Sequence, residues 1–328
     1  MSFERKDERT PGDPDARVVV VGEALVDIVH RADGSVDEAP GGSPANVALT
    51  LGRLGRAPRL VTRLADDAHG RAVRAWLERS GVTVEAVDAP RTATATAHLD
   101  ATGAATYEFD IDWALDGAPI PVADVLHVGS VAALLQPGAD DVSRLVDELR
   151  GSATITYDPN IRPSLLPDAA AARTRVESLV ARADVVKASD EDLRWLHPGE
   201  DPVAAATRWQ RSGPAVVVVT TGGDGAFAVT GAGAVRVPAV PTSVIDTVGA
   251  GDTFMGALID GVIEAGLSGA GRRADLRDID HSVLEAVLRR CATAAGITVS
   301  RPGADPPWRS DLTSHLSPRS APTASAKG

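Results

Sequence analysis

The stretch DTVGAGDTFMGAL, residues 246–258, joins a turn almost without side chains to the start of an apolar helix. From Asp252 onward the apolar residues recur with a helical period, and Gly266 stands where that helix is expected to end. Residues 249–251 would form its first turn, whose backbone N–H groups have no partner inside the helix and carry the positive end of its dipole. Because glycines let an anion approach these groups closely, the stretch predicts a phosphate site.

Asp252 is unexpected beside such a site, because a carboxylate repels an anion. A plain helix cap explains an aspartate at this position, and for GAGD alone that is the simpler interpretation. If the anion is a phosphoryl group in transfer, Asp252 has a second use. It would accept the proton of an attacking hydroxyl while the N–H groups stabilise the developing charge.

Outward from this stretch, short β-branched runs recur, each followed by a Gly or Asp turn and often by a helical period. Nearly continuous apolar runs are typical of strands buried on both faces. Strands that alternate with helices predict a parallel sheet with helices on both faces. The runs are VVVVG (18–22), DVLHVG (124–129), ATITYD (153–158), DVVKAS (184–189) and AVVVVTTG (215–222).

Residues 92–113 depart from this alternation, because two alternating runs flank a short turn at 100–103, which predicts a β-hairpin. Such an element lies over one end of a parallel sheet, either as an edge decoration or as a lid. The pattern alone slightly favours the decoration, and the segment VDEAPGG, residues 36–42, would add a strand. The termini, residues 1–16 and 313–328, have the composition of a disordered leader and tail.

Composition limits the possible functions. The chain of 328 residues suits one large α/β domain or two modest ones, and its net charge of −12 argues against a nucleic-acid partner. Cys291 is the only cysteine, so no intrachain disulfide forms and a reducing, cytoplasmic setting is expected. A secretory signal and a membrane-length apolar run are both missing from the sequence, which predicts a soluble protein without a membrane partner.

A second glycine-containing motif is GGSPANVALTLGRLG, residues 41–55. Ser43 is expected to cap a helix that starts at Pro44, and these features need no function. Asn46, in the first turn, is a middling helix former. Next to two glycines, it would direct donors and an acceptor at a polar ligand.

Two further motifs follow apolar runs. In GEALVDI, residues 22–28, Asp27 lies among apolar neighbours, where an ionised carboxylate needs partners. Sugar hydroxyls and a structural hydrogen bond explain it equally well. In YDPNIRP, residues 157–163, Arg162 follows a central strand and offers a guanidinium suited to phosphate or an oxygen-rich ligand.

The sequence contains no P-loop, no G-x-G-x-x-G, no zinc spacing and no G-x-S-x-G. Taken together and in this order, its motifs resemble the ribokinase-like (PfkB) carbohydrate kinase family over roughly residues 18–308. DTVGAGDTF matches the C-terminal signature of that family, GGSPANVALTLGRLG the N-terminal one, and TTGGDG lies between them. The resemblance implies a three-layer α/β/α sandwich with a mostly parallel central sheet and a small β-lid. The kinase domain would span 17–312, with the lid from about 31–41 and 91–115.

The resemblance also implies roles for individual residues, with Asp252 as the catalytic base. The anion hole would consist of Gly249, Ala250 and Gly251. Sugar hydroxyls would be held by Asp27, Gly42 and Asn46. The nucleotide would be bound by Thr220, Gly222, Gly225 and Gly251, with Lys187 and Ser189. A monovalent cation would be bound by Asp246, Val248, Thr298, Arg301 and Gly303.

One departure concerns the metal, because many members of the family have N-x-x-E where this chain has SDED, residues 189–192. Asp192 retains a carboxylate and would hold Mg²⁺ through water, but Ser189 lacks the amide, which leaves metal handling open. The motifs GEALVDI, DPNIRP and KASDEDL look most like those of fructokinases. In that comparison Arg162 contacts the substrate or the transferring phosphate, while Tyr107 and Trp113 are candidate lid contacts to the sugar.

The predicted function is therefore an ATP-dependent sugar kinase, most similar to fructokinases, that transfers the γ-phosphate of ATP to fructose and gives fructose 6-phosphate. It would use Mg²⁺, and K⁺ is a further candidate ion. The expected partners are a small sugar and ATP, and the family analogy adds a homodimer through the lid. A 2-keto-3-deoxygluconate kinase and a ribokinase are alternatives on the same scaffold. Alternatives of other classes are a catalytically silent sugar-binding regulatory protein and a nicotinamide-dependent oxidoreductase.

Overall fold

The structure is a computed structural model that describes residues 15–99 and 105–316. Within them the strands are, in chain order, β1 (Val18–Val21), β2 (Leu25–His30), β3 (Val36–Gly41), β4 (Arg59–Leu64), β5 (Thr83–Asp88), β6 (Ala93–Leu99), β7 (Ala105–Asp110), β8 (Val125–Gly129), β9 (Thr154–Asp158), β10 (Val185–Ser189), β11 (Val216–Thr220), β12 (Ala226–Thr230) and β13 (Gly233–Val237). The α-helices of the same residues are α1 (Ser43–Arg53), α2 (Ala68–Glu78), α3 (Gly138–Leu149), α4 (Ala169–Val180), α5 (Asp190–Leu196), α6 (Pro202–Ser212), α7 (Ala250–Glu264), α8 (Arg273–Arg277), α9 (His281–Val299) and α10 (Arg309–Leu316).

The main sheet has nine strands in the order β13-β12-β11-β10-β9-β8-β1-β4-β5. The five runs that the sequence marks as buried strands are neighbours in it, from β11 to β1. Seven strands, from β11 to β5, run parallel. At the other edge, β12 and β13 form an antiparallel hairpin that the sequence reasoning did not predict. The mostly parallel sheet is confirmed.

Helices cover both faces of this sheet. In β1 the side chains of Val18 and Val20 pack into one apolar cluster, with α1, α2, α7, α9 and α10. Those of Val19 and Val21 pack into a second cluster, with α3, α4, α5 and α6. This alternation is why an unbroken valine run signals a central strand, since each of its two faces meets a layer of helices.

A second, four-stranded sheet has the order β3-β2-β6-β7. The predicted hairpin is present as β6 and β7, which pair antiparallel, and the predicted extra strand is β3. The hairpin turn at 100–103 lies outside the described residues. The lid begins earlier than about residue 31, because β2 leaves the main sheet after β1 and pairs with both β3 and β6.

Both predicted domain ends need correction. Of the predicted leader, residues 1–14 lie outside the described part of the chain, and Ala16 is buried in the core. Residues 313–316 were expected to be disordered, but they form the last turn of α10, in which the preceding residue Leu312 is buried against the core. The rest of the predicted tail, 317–328, lies outside the described residues.

Candidate active site

Asp252 lies in the first turn of α7, where it is 7% exposed. The helix is preceded by Gly249 in the left-handed conformation, with φ 72°. A Cβ at Gly249 would lie 2.6 Å from the Cβ of Ala304, so both conformation and space require glycine there. The predicted bare turn before a buried carboxylate is therefore present.

Three donors from other elements hold the Asp252 carboxylate. Ser43 donates its hydroxyl to Oδ1 at 2.7 Å, and Asn46 donates Nδ2 to Oδ2 at 2.8 Å. Asn160 donates Nδ2 to Oδ1 at 3.3 Å. Because these three donors bind both carboxylate oxygens, they keep the carboxylate in one orientation.

The N-terminus of α1 differs from its prediction in one respect. Gly42, with φ 101°, is the capping residue, and Ser43 is the first residue inside the helix and caps nothing. The Ser43 hydroxyl instead donates a hydrogen bond to Asp252, 209 residues away. A Cβ at Gly42 would lie 2.7 Å from the carbonyl oxygen of Glu23, so this turn also requires glycine. Asn46 keeps one amide oxygen that is buried and has no partner among the described residues.

Asp27 lies on β2, so it reaches the site from the lid sheet. Burial raises the pKa of this half-buried carboxyl from 3.8 to about 6, the charge of Arg162 lowers it, and that of Asp252 raises it. Asp27 is therefore within electrostatic range of both residues. A Cβ at Gly41 would lie 2.1 Å from its Oδ2, which leaves glycine as the residue that fits opposite it.

Lys187 and Asp158 form a buried ion pair beneath the α7 turn, with Nζ 2.7 Å from Oδ2. Burial lowers the pKa of Lys187, but the Asp158 carboxylate more than offsets this and the net direction is upward. Burial raises the pKa of Asp158 to about 6, against the effect of Lys187. A Cβ at Gly251 would lie 3.1 Å from the Lys187 Nζ, which places the ammonium against the predicted anion hole.

Asp192 and Ser189 form a reciprocal cap at the start of α5. The backbone N–H of Asp192 donates to the Ser189 hydroxyl, and the backbone N–H and hydroxyl of Ser189 donate to Asp192 Oδ2. Asp192 Oδ1 accepts the backbone N–H of Ile161 at 2.8 Å. The structure thus gives both residues a capping role, whereas the sequence analysis expects a metal ligand and a nucleotide contact.

Arg162 and its neighbour Asn160 follow β9. Arg162 is exposed, and its Nη1 donates to the Asn160 side-chain oxygen at 2.7 Å. Tyr107 lies in β7, and its side chain is not described. Trp113 is 2% exposed, and its indole N–H donates to the carbonyl of Ala132 at 2.9 Å. The prediction that Trp113 contacts the sugar is therefore wrong, because its ring is buried in the core.

A cavity of about 470 Å³ opens beside the α7 turn. Four of the six predicted nucleotide residues line it, namely Thr220, Gly222, Gly225 and Gly251, whereas Lys187 and Ser189 do not. Gly225 has φ 100°, and a Cβ there would lie 2.2 Å from the carbonyl oxygen of Val237. The remaining walls are mainly small or apolar: Gly223, Ala239, Val240, Pro241, Thr242, Val244, Thr247, Ala250, Phe254, Ala292, Ala295, Gly296 and Val299.

The residues predicted to bind a monovalent cation come together behind this turn. Asp246 accepts the backbone N–H of Val248 at 3.0 Å and that of Gly303 at 2.9 Å. The Thr298 carbonyl accepts the backbone N–H of Arg301 at 3.0 Å. The loop before α7 and the segment after α9 are thereby joined.

Glu23 is a buried site residue that the sequence analysis did not single out. It is 2% exposed and accepts the backbone N–H of Ala132 at 2.9 Å. Burial raises its pKa to about 7, while a hydrogen bond from Ser130 lowers it. Ser130 itself has the unusual φ of 54°, so Glu23 fixes a strained turn at the end of β8.

Residues 15–311 match the model of the pfkB family carbohydrate kinases. The chain belongs to this family, so the predicted family, fold class and sugar-kinase type of enzyme are confirmed. It is 36% identical over 252 residues to the fructokinase of Rhizobium leguminosarum bv. trifolii, which covers 72% of this chain and 77% of the relative. Identity to the fructokinase of Klebsiella pneumoniae is 32% over 263 residues, with 76% and 86% covered. A crystal structure of a fructokinase with bound ATP from Xylella fastidiosa superposes with a TM-score of 0.81 at 25% identity, covering 92% of this chain and 98% of that one.

Two further observations apply to residues 15–99 and 105–316. In this part of the chain, the helices lack the length and apolar character needed to cross a membrane. The same residues contain no cluster of three or more His, Cys, Asp or Glu side chains arranged to hold a metal ion.

Proposed function

We propose that this chain is a fructokinase that transfers the γ-phosphoryl group of ATP to the terminal hydroxyl of fructose, giving fructose 6-phosphate and ADP. The observation that carries the proposal is the Asp252 carboxylate, held by three donors next to the bare turn of α7 and near the Lys187 ammonium. The choice of fructose is supported by the relatives named fructokinase.

In the proposed reaction, Asp252 accepts the proton of the sugar hydroxyl as its oxygen forms a bond to the γ-phosphorus. The bond from that phosphorus to the bridging oxygen of ATP breaks, and ADP leaves with the electron pair. The N–H groups of Gly249, Ala250 and Gly251 stabilise the charge on the transferring oxygens, assisted by the helix dipole. Lys187 adds a positive charge at the same point.

The sugar would lie between α1 and the lid. Asp27, Gly42 and Asn46 would hold its hydroxyls. The amide oxygen of Asn46, which accepts no hydrogen bond from the described residues, offers an acceptor for one of them. Tyr107 would contact the sugar from β7, and Arg162 would contact the substrate or the transferring phosphate. Closure of the lid over them would exclude water, which limits hydrolysis of ATP.

The nucleotide would occupy the cavity beside α7, with its base against the apolar wall and its phosphates toward Gly251. The predicted contacts are Thr220, Gly222, Gly225, Lys187 and Ser189. A cavity of about 470 Å³ has room for a flat base, and the two glycine turns at its rim would let the phosphates approach the backbone closely.

The residues present fit a divalent cation held through water. Asp158 Oδ1 is buried and accepts no hydrogen bond from the described residues, and Asp192 lies within electrostatic range of the same carboxyl. Mg²⁺ at this point would supply positive charge that neutralises the triphosphate. We assign K⁺ to the segments around Asp246, whose carboxylate joins them.

Assembly and location complete the proposal. The lid sheet has β3 and β7 as its outer strands, so a second lid has unpaired edges to meet in a homodimer. The single cysteine, Cys291, is buried and unpaired, which suits the reducing cytoplasm.

A substrate panel tests the proposal. ADP release is coupled to pyruvate kinase with Mg-ATP and fructose, 2-keto-3-deoxygluconate, ribose or adenosine, each with and without K⁺. We expect the highest kcat/KM for fructose, and ³¹P NMR should place the phosphate on its terminal carbon. A preference for another sugar would overturn fructose as the substrate. ATP binding without turnover of any sugar would indicate a silent binding protein.

A further inference from the structure

Asn160 has an unusual backbone conformation for a residue other than glycine. It follows β9 in the segment DPNIR and has φ 37°, close to the left-handed region that costs most side chains about 1 kcal/mol or more. Asparagine tolerates this region better than most residues. Strain that persists at one position needs a compensating interaction, and the side chain of Asn160 supplies it.

The Asn160 side chain bridges Asp252, the proposed base, and Arg162, the proposed contact to the substrate or the transferring phosphate. Its Nδ2 donates to Asp252 Oδ1 at 3.3 Å, and its Oδ1 accepts from Arg162 Nη1 at 2.7 Å. A carboxylate only accepts and a guanidinium only donates, so the amide orientation is fixed by its two partners. An amide of this length satisfies both at once, whereas aspartate would place a second carboxylate against Asp252.

Asp252 and Arg162 are also held by groups other than the Asn160 side chain. Asp252 is also held by Ser43 and Asn46 from α1. Arg162 also donates to the backbone carbonyls of Asn160 and Ile161, at 3.4 and 3.2 Å. Loss of the amide would leave each partner attached but would remove the link between them.

We propose that Asn160 is a positioning residue for phosphoryl transfer, because it fixes the Asp252 carboxylate and the Arg162 guanidinium relative to each other. The inference rests on the proposed function, in which these residues act on the hydroxyl and on the substrate or phosphate. The nucleotide cavity does not include Asn160. Its loss should therefore reduce turnover and leave ATP binding in place.

The main test compares Asn160→Gly with Ala57→Gly. Ala57 has φ 46° and is exposed, so both substitutions relieve a left-handed backbone, but only one removes a bridging side chain. We expect Ala57→Gly to keep wild-type kinetics. For Asn160→Gly we expect kcat with fructose to fall by about 10²-fold, the loss typical of a misplaced catalytic group. KM for ATP should change less than about twofold and the thermal midpoint should not fall.

A double-mutant cycle separates positioning from independent contributions. If Asn160 acts through Arg162, the losses in kcat of Asn160→Gly and Arg162→Ala should not multiply in the double variant. Should Asn160→Gly fail to fold, Asn160→Asp keeps the size of the side chain and its bond to Arg162, and we expect at least the same loss of kcat from its charge beside Asp252.

Failure of the inference about Asn160 can be distinguished from failure of the proposed function. Wild-type kcat in both Asn160 variants, or losses that multiply fully in the cycle, would overturn this inference while fructose phosphorylation by the wild type stands. A wild-type chain that turned over no sugar would overturn the proposed function and this inference with it.

Discussion

Replacing Asp252 with asparagine separates the chemistry of this residue from its place in the fold. The carboxylate accepts hydrogen bonds from Ser43, Asn46 and Asn160, and an amide of the same shape replaces one of its oxygens by a donor. The Ser43 hydroxyl can rotate to accept. Asn46 can turn its amide so that its oxygen, which has no partner in the described part of the chain, faces the new donor. The weaker neutral hydrogen bonds cost about 1 kcal/mol each, and relief from burying a charge offsets this cost. We therefore expect the free energy of unfolding to change by less than about 2 kcal/mol.

Turnover should respond very differently. An amide cannot take the proton of the attacking hydroxyl, and loss of a general base reduces kcat by about 10²- to 10⁴-fold. This corresponds to about 3–5 kcal/mol in the barrier. The assay follows ADP release with fructose and Mg-ATP, while calorimetry checks that ADP binding changes less than about twofold. Asp275→Asn, at an exposed aspartate of α8, is the matched control and should keep full activity.

Near-wild-type turnover by folded Asp252→Asn would refute the assignment of Asp252 as the base. The same result with a tenfold weaker ADP affinity would instead make Asp252 a nucleotide contact. A loss of turnover that accompanies unfolding would be a structural effect, which is why the unfolding curve is measured on the same preparation.

Three further substitutions test the site and its support. Gly251→Ala would place a methyl group 3.1 Å from the Lys187 Nζ, so we expect kcat/KM for ATP to fall by about 10²-fold at an unchanged thermal midpoint. Burial raises the pKa of Glu23 from 4.5 to about 7, so its stability contribution is present below pH 4.5 and is lost as the pH rises through about 7. Relative to the wild type, Glu23→Gln should therefore gain about 2–3 kcal/mol between pH 5 and pH 8 in urea unfolding, and parallel curves would contradict this. Asp260→Ala removes the buried carboxylate that pairs with the Arg56, Arg290 and Arg309 guanidiniums and should lower the urea midpoint by the equivalent of about 3–5 kcal/mol, whereas Asp260→Asn should lose less.

The layers of the fold were predictable because they depend on local patterns. An unbroken valine run such as that of β1 indicates a strand covered on both faces, wherever its partners lie in the sequence. The first residue of the lid was not predictable in this way. The segment GEALVDI has the same apolar character as a main-sheet strand, and its departure into the other sheet is decided by which edge β2 meets.

Within the site too, local features were predictable from the sequence and long-range contacts were not. The turn before α7 was predictable from Asp252 and its glycines, since a helix N-terminus is a local feature. The partners of its carboxylate were not, because Ser43 and Asn160 lie 209 and 92 residues away. Serine commonly caps helices, so the sequence predicts a cap at Ser43. Only the tertiary structure shows that its hydroxyl donates to Asp252 in another helix. Asn160 is unremarkable in the sequence, and its bridging position depends on a left-handed φ.

In the proposed function, the two aspartates of the stretch 246–258 have separate tasks, and the contacts of Asp246 support the turn beside Asp252. A turn of glycines has no side chains of its own to hold its N–H groups in place, and glycine is the most flexible residue. Contacts with α9 and with the segment after it supply the missing rigidity. Asp246 accepts the backbone N–H of Gly303, and the Thr298 hydroxyl of α9 donates to the Thr253 hydroxyl. In the proposed function, the anion hole is therefore preorganised from outside the turn, which leaves the turn itself bare enough for a phosphoryl group to reach it.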